Sequence, residues 1–595
     1  MKSLLLKLLL CSVLAGGARG ASADAPATES ETVANFRLLD HTGRSHELYR
    51  YRDRKLIVLM VGGNGCPIVR HGVVGLKQLR EEFGPRGVVF ALLNVNAHDS
   101  QPEIVAEAKE FAYDFPILLD PAQATARALK LQRTSEVLVI DPATWRLVYR
   151  GALDDRLEYG QQKPQPGRRH AAEAIAAFLA GEPVKVARTE VKGCAVTLEV
   201  TGPVDYARQI APLLGEHCVS CHSTGNIAPF ALSSYEKVRG HSRTIAEVLR
   251  EDRMPPWHAD PHHGTFANDR SLTAAERATL LEWIAQGTPR GNGADPLPGL
   301  QPKSAEPWPL GKPDRVVKMP EEAKIPATGL LPYQFYTVAA PVDEDTWLRG
   351  VSVRAGNPKV VHHCLVFIRY PERLRHLEPP QELGTAGFFA GFVPSTEPTF
   401  FPEGTGKLLP KGSLLIFQMH YTTTGKEETD RSELALYFAP EKPAAELVTG
   451  AATNGRFEIA PNTRLEGVKS QFRFAQDVWL HELSPHLHLR GDTFTYTAVF
   501  PDGRQEVLLH VPHYDFNWQT LYRLKEPRRL PAGTRLVCSG SFDNTATNPA
   551  NPNPNATVRF GEQTDDEMFI GYFNWSPADG QAAVRPAPKQ RRKRR

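Results

Sequence analysis

The chain has 595 residues, which is too many for one hydrophobic core and allows about three to five domains. Apolar residues make up 41% and charged residues 23%, an ordinary globular composition that excludes a disordered or fibrous protein. The net charge of +3 includes three basic residues near the start and seven in the last eleven positions, so the rest of the chain carries −7. An acidic body offers no electrostatic footprint for nucleic acid, and we expect no nucleic-acid partner.

The first predicted element is a secretory signal peptide over residues 1–23. Lys2 precedes the apolar stretch Leu4 to Ala15, and small residues follow it up to Ala23. No later apolar run approaches the ~20 residues that a membrane-spanning helix needs, so no transmembrane anchor is expected. We therefore expect an exported protein, periplasmic or secreted, with a disordered basic tail over residues 578–595.

Strand and helix patterns alternate over residues 30–198, which is typical of an α/β layer fold. The continuous apolar run Leu56 to Val61 predicts a strand buried on both faces. Helical spacing follows from Val69 to Phe83, and further strands are predicted at Val88 to Asn94, Glu136 to Ile140 and Trp145 to Gly151. We expect this region to form one domain.

Cys66 stands where the first buried strand gives way to the helix, directly before Pro67. The helix dipole and the free backbone N–H groups at this position favour a thiolate. With the Leu56–Val61 strand, the Gly65-Cys66-Pro67 turn and the run Phe115 to Pro121, residues 30–185 resemble the thioredoxin-like redoxin family. The resemblance implies a thioredoxin-like fold and makes Cys66 a candidate redox thiol.

Two positions depart from the redoxin pattern. Val69 stands in place of the second cysteine of a CxxC pair, and Ser135 falls in place of the family's cis-proline. Cys194 is a candidate distant resolving cysteine. Two interpretations stay open: a thiol redox protein acting through Cys66, or a docking or structural domain in which Cys66 is idle or disulfide-bonded. From the two departures we expect weak or absent disulfide-reductase activity.

Residues 203–290 show helical spacing with almost no strand pattern. Helices are predicted at Tyr206 to His217, Ser234 to Arg250 and Leu272 to Gln286. Thr273, with Glu276 three residues later, forms a capping-box signature for the last of them. A Pro/Gly-rich stretch over residues 291–314 is predicted to be a linker.

The run Cys218-Val219-Ser220-Cys221-His222 is the c-type haem attachment signature. Two thiols on one helical turn can reach the two vinyl groups of haem, and His222 supplies the proximal iron ligand. On this motif the segment resembles cytochrome c domains, which implies a haem c cofactor. The resemblance also implies a methionine before a proline as the second axial ligand, and Met254 fits that position. The rival axial ligands are His241 and His258, and the alternative to haem is a zinc site made by His217, Cys218, Cys221 and His222.

From residue 315 to residue 577 the pattern changes to short alternating strands between turn residues, with no helix of any length. The segments Phe494 to Phe500 and Glu506 to Val511 flank Pro501-Asp502-Gly503, which is a hairpin signature. We predict two β-sandwiches, over residues 315–452 and 453–577, with a break near Ala451 to Pro461.

Three histidine groups and one methionine follow each other in the β region: His362-His363, His420, His486-Leu487-His488 and Met568. On a strand, His486 and His488 point to the same face and can chelate one ion. The adjacent His362 and His363 would face opposite ways on a regular strand, so a bulge or a strand end is needed there. Imidazole together with a thioether suits a copper ion that alternates between Cu(II) and Cu(I).

In their order, these motifs resemble the copper type II, ascorbate-dependent monooxygenases, the family of peptidylglycine- and dopamine-hydroxylating enzymes. The resemblance implies two copper ions on facing β-sandwiches. The electron-transfer copper would be held by His362, His363 and His420. The copper that binds dioxygen would be held by His486, His488 and Met568, with Tyr572 retained as a further catalytic residue.

Some positions depart from the copper family as well. Peptide-amidating members carry an Arg and an Asn where this chain has Ser484 and Ile570, so a peptidylglycine substrate is disfavoured. The dense disulfides of the family are missing, and Cys364 is predicted to be packed rather than ligating. No metal is assigned to the remaining histidines of the region: His376, His481, His510 and His513.

Together the segments predict a thioredoxin-like α/β domain, an all-α cytochrome c-like domain and two all-β copper domains. The leading hypothesis is an exported copper monooxygenase that hydroxylates a C–H bond of a small-molecule substrate with dioxygen. Ascorbate, a redox protein or the fused haem domain would supply the electrons, since tethering raises the effective concentration of a donor. The alternatives are an electron-transfer or copper-handling protein without hydroxylase turnover, and a thiol redox protein acting through Cys66.

Overall fold

The computed structural model describes residues 31–580 and 583, apart from 159–160, 164, 201, 225, 227, 302–307, 330, 378–386 and 394–397. The predicted signal peptide over residues 1–23 and nearly all of the predicted basic tail lie outside the described residues. Within the described part of the chain, no helix is both long and apolar enough to cross a membrane.

The N-terminal region is built on a five-stranded sheet. The strands of the whole region, in chain order, are β1 (Arg37–Leu39), β2 (Ser45–Glu47), β3 (Leu56–Gly62), β4 (Val88–Asn94), β5 (Ile117–Leu119), β6 (Val137–Asp141), β7 (Arg146–Gly151), β8 (Leu157–Glu158) and β9 (Gln161–Gln162). Its helices are α1 (Pro67–Phe83), α2 (Gln101–Glu110), α3 (Ala124–Ala128) and α4 (His170–Leu179), with 3-10 turns at Leu48–Tyr51 and Gly84–Arg86. The main sheet has the order β5-β4-β3-β6-β7. Strands β3, β4 and β5 are parallel, and β6 and β7 are antiparallel to their neighbours.

Strand β3 is central because its side chains are apolar on both faces, as predicted. All seven of its residues are buried. Val58 and Met60 belong to the core on one side of the sheet, where helix α1 packs, whereas Ile57 and Leu59 belong to the core on the other side. The C-terminal end of this strand leads directly into the turn that carries Cys66.

A helical segment follows. It contains a π-helical turn (Tyr206–Ile210) and the helices α5 (Ala211–His217), α6 (Tyr235–Arg250), α7 (Ala274–Ala285) and α8 (Leu297–Leu300). The predicted capping box is present, because the Thr273 hydroxyl accepts from the Glu276 N–H and the Glu276 carboxylate accepts from the Thr273 N–H. Helices α6 and α7 contact each other and share one apolar core with α5.

Helix α8 lies within the predicted linker over residues 291–314, so part of that stretch belongs to the helical segment. Leu297 is fully buried in the core of the helical segment. The Asp295 carboxylate accepts from the Tyr206 hydroxyl at 2.8 Å and from the Tyr235 N–H at 2.6 Å. The Pro and Gly residues resemble a linker in composition, but here they shape a short helix that closes the core.

The C-terminal region is rich in β-sheets, as predicted, and its strands form two successive pairs of sheets. The first sheet pair comprises β10 (Arg315–Lys318), β11 (Ala323–Ile325), β12 (Gln334–Ala339), β13 (Thr346–Arg354), β14 (Val361–Arg369), β15 (Phe388–Phe392), β16 (Thr405–Leu409), β17 (Leu414–Tyr421), β18 (Glu428–Asp430), β19 (Glu433–Phe438) and β20 (Ala445–Glu446), with a 3-10 turn at Glu372–Leu377. Its two main sheets, β10-β19-β13-β16-β20 and β12-β17-β14-β15, enclose one core.

The second sheet pair comprises β21 (Val448–Thr453), β22 (Glu458–Ile459), β23 (Arg464–Arg473), β24 (Val478–His486), β25 (Gly491–Val499), β26 (Gln505–Val511), β27 (Tyr522–Leu530), β28 (Arg535–Asp543), β29 (Val558–Arg559) and β30 (Ile570–Pro577). Its main sheets have the orders β21-β30-β24-β27 and β23-β28-β25-β26 and enclose a second core. The predicted hairpin is present as the antiparallel pair β25 and β26.

The change from the first to the second sheet pair lies earlier than the predicted boundary at residues 452/453. Strand β20 still pairs with β16 of the first pair, whereas β21 pairs along its whole length with β30. The boundary therefore lies between Glu446 and Val448. A partner strand more than 100 residues away leaves no local pattern that could have revealed this.

Candidate metal centres and thiol pair

The first candidate centre is a group of three histidines on two neighbouring strands. His363 on β14 is the cross-strand partner of His420 on β17. The pairing register shifts between Val361 and His363, so His362 is an extra residue at a bulge, as predicted. The bulge lets two adjacent side chains take part in one group, which a regular strand would not allow.

The three imidazoles lie close enough to hold one ion. Ring centroids are 4.7 Å apart for His362 and His420, 5.0 Å for His363 and His420, and 5.7 Å for His362 and His363. Among the described residues, this is the one group of three or more His, Cys, Asp or Glu side chains whose ligand atoms all lie within 4.8 Å of one another.

Four nitrogens of this group have no hydrogen-bond partner in the protein. The buried Nδ1 atom of each histidine has no hydrogen-bond partner, and neither has Nε2 of His363. Leaving a buried polar group unpaired costs about 1–3 kcal/mol, so four such nitrogens in one place fit a site that binds a metal ion. Burial lowers the pKa of His420 to about 3 and holds that of His363 well below its usual value. The imidazoles are therefore neutral, which is the form that binds a metal.

The second candidate centre begins at the end of β24. His486 is the last residue of this strand, and His488 follows it. Leu487 between them is fully buried in the core, so the two rings share the opposite side, with centroids 5.2 Å apart. Burial lowers the pKa of His486 to about 4 and that of His488 to about 3, so this pair is neutral as well.

Hydrogen bonds orient the two rings of this pair. Nδ1 of His486 lies 2.8 Å from Oε1 of Gln519, and Nδ1 of His488 lies 3.2 Å from the backbone oxygen of Asp566. An acceptor at Nδ1 holds the proton there and leaves the Nε2 lone pair free for a metal. The pair thus offers Nε2, whereas the three-histidine group leaves Nδ1 unpaired.

Met568 lies beside this pair in the fold. It is 8% exposed and precedes β30, in which Ile570 is the cross-strand partner of His486. The buried Glu567 carboxylate accepts from the backbone N–H of His488 at 2.8 Å and of Arg490 at 2.6 Å. The segment that carries Met568 is therefore fastened to the segment that carries His488. Our sequence reasoning missed Glu567, although its position next to Met568 was a signal.

A loop between β26 and β27, residues 512–521, contacts both histidine groups. The Phe516 ring lies 5.5 Å from His362, where it stacks, and 5.6 Å from His488. Asn517 hydrogen-bonds the His362 side chain. With Gln519 on His486, the loop holds one member of each group. No motif in the sequence marks these residues, which meet the histidines only in the folded chain.

A cavity of about 170 Å³ opens beside His486, between the two sheet pairs. Tyr572 also lines it, with its ring centroid 6.2 Å from that of His486. Six phenylalanines line it as well: Phe388, Phe389, Phe392, Phe400, Phe401 and Phe573.

In the helical segment, Cys218 and Cys221 are unpaired cysteines at the end of α5. Nδ1 of His222 lies 3.0 Å from the backbone oxygen of Phe230, which leaves its Nε2 for iron. The four side chains of the alternative zinc site are not among the described groups whose ligand atoms lie within 4.8 Å of one another, and Nδ1 of His217 lies 3.3 Å from the Arg270 backbone oxygen.

The three candidates for the second axial ligand, Met254, His241 and His258, lie in different surroundings. Met254 is partly buried in the turn after α6. The His241 ring stacks on Phe230 at 3.9 Å, and Phe230 in turn lies 4.8 Å from His222. His258 is directed towards the second sheet pair, where its ring lies 5.6 Å from His513.

The chain after Met254 joins the helical segment to the second sheet pair. The N–H of Asp260 donates to the His510 oxygen at 2.8 Å. Phe266 forms an isolated bridge with Leu524, flanked by hydrogen bonds from the Ala267 N–H to the Arg523 oxygen and from the Lys525 N–H to the Thr265 oxygen. Asp260 therefore contacts β26 and residues 265–267 extend along β27, the two strands that flank the 512–521 loop.

Cys66 and Cys194 are brought together although 128 residues separate them. Their Sγ atoms lie 3.4 Å apart. The backbone around Cys194 pairs with the loop at Thr134, whose N–H donates to the Cys194 oxygen at 2.9 Å. The Thr134 hydroxyl accepts from the Cys194 N–H and lies 3.6 Å from Cys66 Sγ.

The two thiols differ in acidity. Burial alone would raise the pKa of Cys66, but hydrogen bonds from the Val69 backbone, Thr134 and Cys194 outweigh it and lower the pKa below its usual value. The pKa of Cys194 is raised, chiefly by its hydrogen bond to Cys66. Cys66 is therefore the thiol of this pair that ionises more readily.

Comparisons with known proteins bear on the N-terminal region. Residues 30–154 match the AhpC/TSA family. A hypothetical protein from Sinorhizobium meliloti is 24% identical over 30% of this chain and 98% of its own, with a TM-score of 0.27. An uncharacterized conserved protein from Geobacillus kaustophilus is 27% identical over 29% and 93%, with a TM-score of 0.26. A peroxidoxin from Mycobacterium tuberculosis is 19% identical over 25% and 96%, with a TM-score of 0.21. No curated protein matches. Residues 30–154 of the chain are a thioredoxin-like redoxin domain of the AhpC/TSA family, which indicates an oxidoreductase.

Proposed function

We propose that the chain is an exported copper-dependent monooxygenase that hydroxylates a C–H bond of a small molecule with dioxygen. The observation that carries the proposal is the pair of neutral, buried histidine groups on either side of Phe516. One group leaves its Nδ1 atoms free and the other its Nε2 atoms. Copper bound at such ligands supplies one-electron redox chemistry towards dioxygen.

The two groups would take different roles. His362, His363 and His420 would hold the copper that delivers electrons, because three imidazoles carry no strong bias towards Cu(I). The pair His486 and His488, with the thioether of Met568, would hold the copper that meets dioxygen, because soft sulfur favours Cu(I). The Phe516 ring lies against both groups.

A c-type haem in the helical segment is the proposed electron donor, with ascorbate or a separate redox protein as the other sources. Cys218 and Cys221 would bind the haem covalently, and Nε2 of His222 would bind its iron, with Met254 as the proposed second ligand. The contacts of Asp260 with β26 and of residues 265–267 with β27 support this role. They join the proposed haem unit to the sheet pair whose 512–521 loop contacts His362.

The proposal is tested on the full-length chain, exported by a host that matures c-type haem. We expect two copper ions and one haem per chain, and oxygen consumption that requires both substrate and reductant. His363→Ala should lose one copper ion. The matched control His481→Gln changes another buried histidine, one that bonds Ser576 instead, and should keep both ions. Bound zinc without copper would refute the proposal, and bound copper without substrate-dependent oxygen consumption would favour the electron-transfer alternative.

A second function, thiol oxidation at Cys66, is favoured by the 3.4 Å distance between the Cys66 and Cys194 sulfurs. The Cys66 thiolate would attack a peroxide and become a sulfenic acid, releasing the alcohol or water. Cys194 would then form the disulfide with loss of water, so the two thiols lose two electrons to the peroxide. Titration of free thiols after one equivalent of hydrogen peroxide should show two thiols lost. In Cys194→Ser, Cys66 should stop at the sulfenic acid, and oxidation of Cys194 by hydrogen peroxide in Cys66→Ser as fast as in the wild type would contradict this role.

A further inference from the structure

The cavity beside His486 has a polar edge next to its phenylalanine side chains. Four of the polar residues that line the cavity form this edge: Lys407, Thr449, Glu482 and Asn574. Lys407 on β16 belongs to the first sheet pair and the other three to the second, so the polar edge lies where the two sheet pairs meet. His486 and Tyr572 line the same cavity.

These four side chains form one hydrogen-bonded row. The Lys407 ammonium donates to the Thr449 hydroxyl at 3.0 Å, and that hydroxyl donates to Oδ1 of Asn574 at 2.6 Å. Nδ2 of Asn574 donates to the Glu482 carboxylate at 2.5 Å. Lys407 also donates to the Phe389 backbone oxygen at 3.0 Å, so two of its three N–H bonds are used. One donor remains for a ligand.

The charges of the row balance. Lys407 is 7% exposed and Glu482 is 8% exposed, so an ammonium and a carboxylate stand at the two ends of one buried row. Two further charges flank the row and also offset each other: Nε of Arg523 lies 3.6 Å from the Glu482 carboxylate, and the Glu446 carboxylate acts on Lys407. A ligand anion near Lys407 would also lie near Glu482, and a cation near Glu482 would lie near Lys407. Burying one further charge without a partner is costly, so the row favours an uncharged, dipolar group.

The size of the cavity limits the ligand. A volume of about 170 Å³ is close to the ~150 Å³ of an engineered protein cavity that holds one benzene molecule. Aromatic side chains suit a ring or a compact apolar group of this size.

We propose that this cavity binds an uncharged, single-ring or similarly compact apolar molecule that presents a hydrogen-bond acceptor, such as a carbonyl oxygen, to Lys407. The apolar part of the ligand then fills the space towards His486 and Tyr572. That this molecule is the substrate rests on the proposed monooxygenase function, whereas its binding does not.

The test uses three ligands with one ring each: acetophenone, which is neutral, benzoate, which is an anion, and benzylamine, which is a cation at pH 7. Each is titrated calorimetrically into the full-length, copper-free chain. We expect acetophenone to bind at least about tenfold more tightly than the two charged ligands. Lys407→Met should weaken acetophenone binding about tenfold or more, because it removes a charged donor. The control Lys411→Met, at an exposed lysine after β16, should leave it unchanged.

Tightest binding of benzoate or of benzylamine would overturn the proposal, as would acetophenone binding that Lys407→Met does not alter. Should Lys407→Met fail to fold, Ser484→Leu provides the second variant, because this larger side chain fills the cavity and should abolish acetophenone binding. Unchanged binding in Ser484→Leu would place the ligand elsewhere. Binding is measured without copper, so the two proposals can fail separately. A chain that binds acetophenone when copper-free, but consumes no oxygen when loaded with copper and given reductant, would refute the monooxygenase function and leave the cavity assignment standing.

Discussion

Gln519 offers a sharp test of how the second histidine group is prepared for a metal. Its side chain is 8% exposed, and its Oε1 lies 2.8 Å from Nδ1 of His486. This acceptor keeps the imidazole proton on Nδ1 and leaves the Nε2 lone pair to bind copper. Gln519→Leu keeps most of the volume and removes the acceptor.

The size of the effect follows from the bond that is lost. When Nε2 binds copper, the proton must stay on Nδ1, which in the Leu variant is a buried donor without an acceptor. Such a donor costs about 1–3 kcal/mol, and the loss of a hydrogen-bonding partner behind a metal ligand weakens metal binding about 10- to 100-fold. We therefore expect copper at the His486 site to bind about 10- to 100-fold more weakly.

The assay is a competition titration of full-length protein against a Cu(I) chelator. The three-histidine site serves as an internal reference, because the Gln519 acceptor bonds His486 and not that group. Gln519→Glu keeps an acceptor at the same place and should keep or increase the affinity. If the Leu variant binds both copper ions as tightly as the wild type, the Gln519 contact does not select the tautomer, and Nε2 of His486 is not the ligand.

Three further predictions test the other sites. Met568→Ala should retain copper at the three-histidine site but lose carbon monoxide binding by Cu(I) at the second site and nearly all hydroxylation; full carbon monoxide binding and activity would make Met568 a core residue. The double change Cys218→Ala, Cys221→Ala should leave no haem on the chain in a denaturing gel, and haem that survives it would refute covalent attachment through these thiols. Because the pKa of Cys66 is lowered, the rate of its alkylation by iodoacetamide should rise with pH at a lower midpoint than for an exposed cysteine. Cys194→Ser should raise that midpoint, because the hydrogen bond from Cys194 helps to lower the pKa of Cys66. An unchanged midpoint would contradict that contribution.

The elements that the sequence predicted well are those fixed by local patterns. Strand β3 has apolar residues on both faces, so no partner needs to be known to place it inside a sheet. The capping box at Thr273 is a four-residue signal. The bulge at His362 follows from two adjacent histidines that must serve one ion.

The elements that escaped prediction depend on contacts between distant residues. Nothing near Phe516 or Gln519 marks them as neighbours of histidines, because their role arises only when the 512–521 loop crosses both groups. Helix α8 was hidden by its proline and glycine content, and only the burial of Leu297 in the helical core reveals it. Lys407 lines the cavity from the first sheet pair, and no motif around His486 could indicate this.

The bulge in β14 makes the three-histidine group depend on chain length as well as on composition. Beyond the bulge, β14 pairs regularly with β17 from His363 onwards, and side chains alternate between the two faces of the sheet. Deleting a single residue ahead of His363 would restore regular pairing and send the preceding side chain to the opposite face. A protein of this architecture can therefore lose, or acquire, a third imidazole ligand through a one-residue deletion or insertion, while every other core residue of the sheet stays in place.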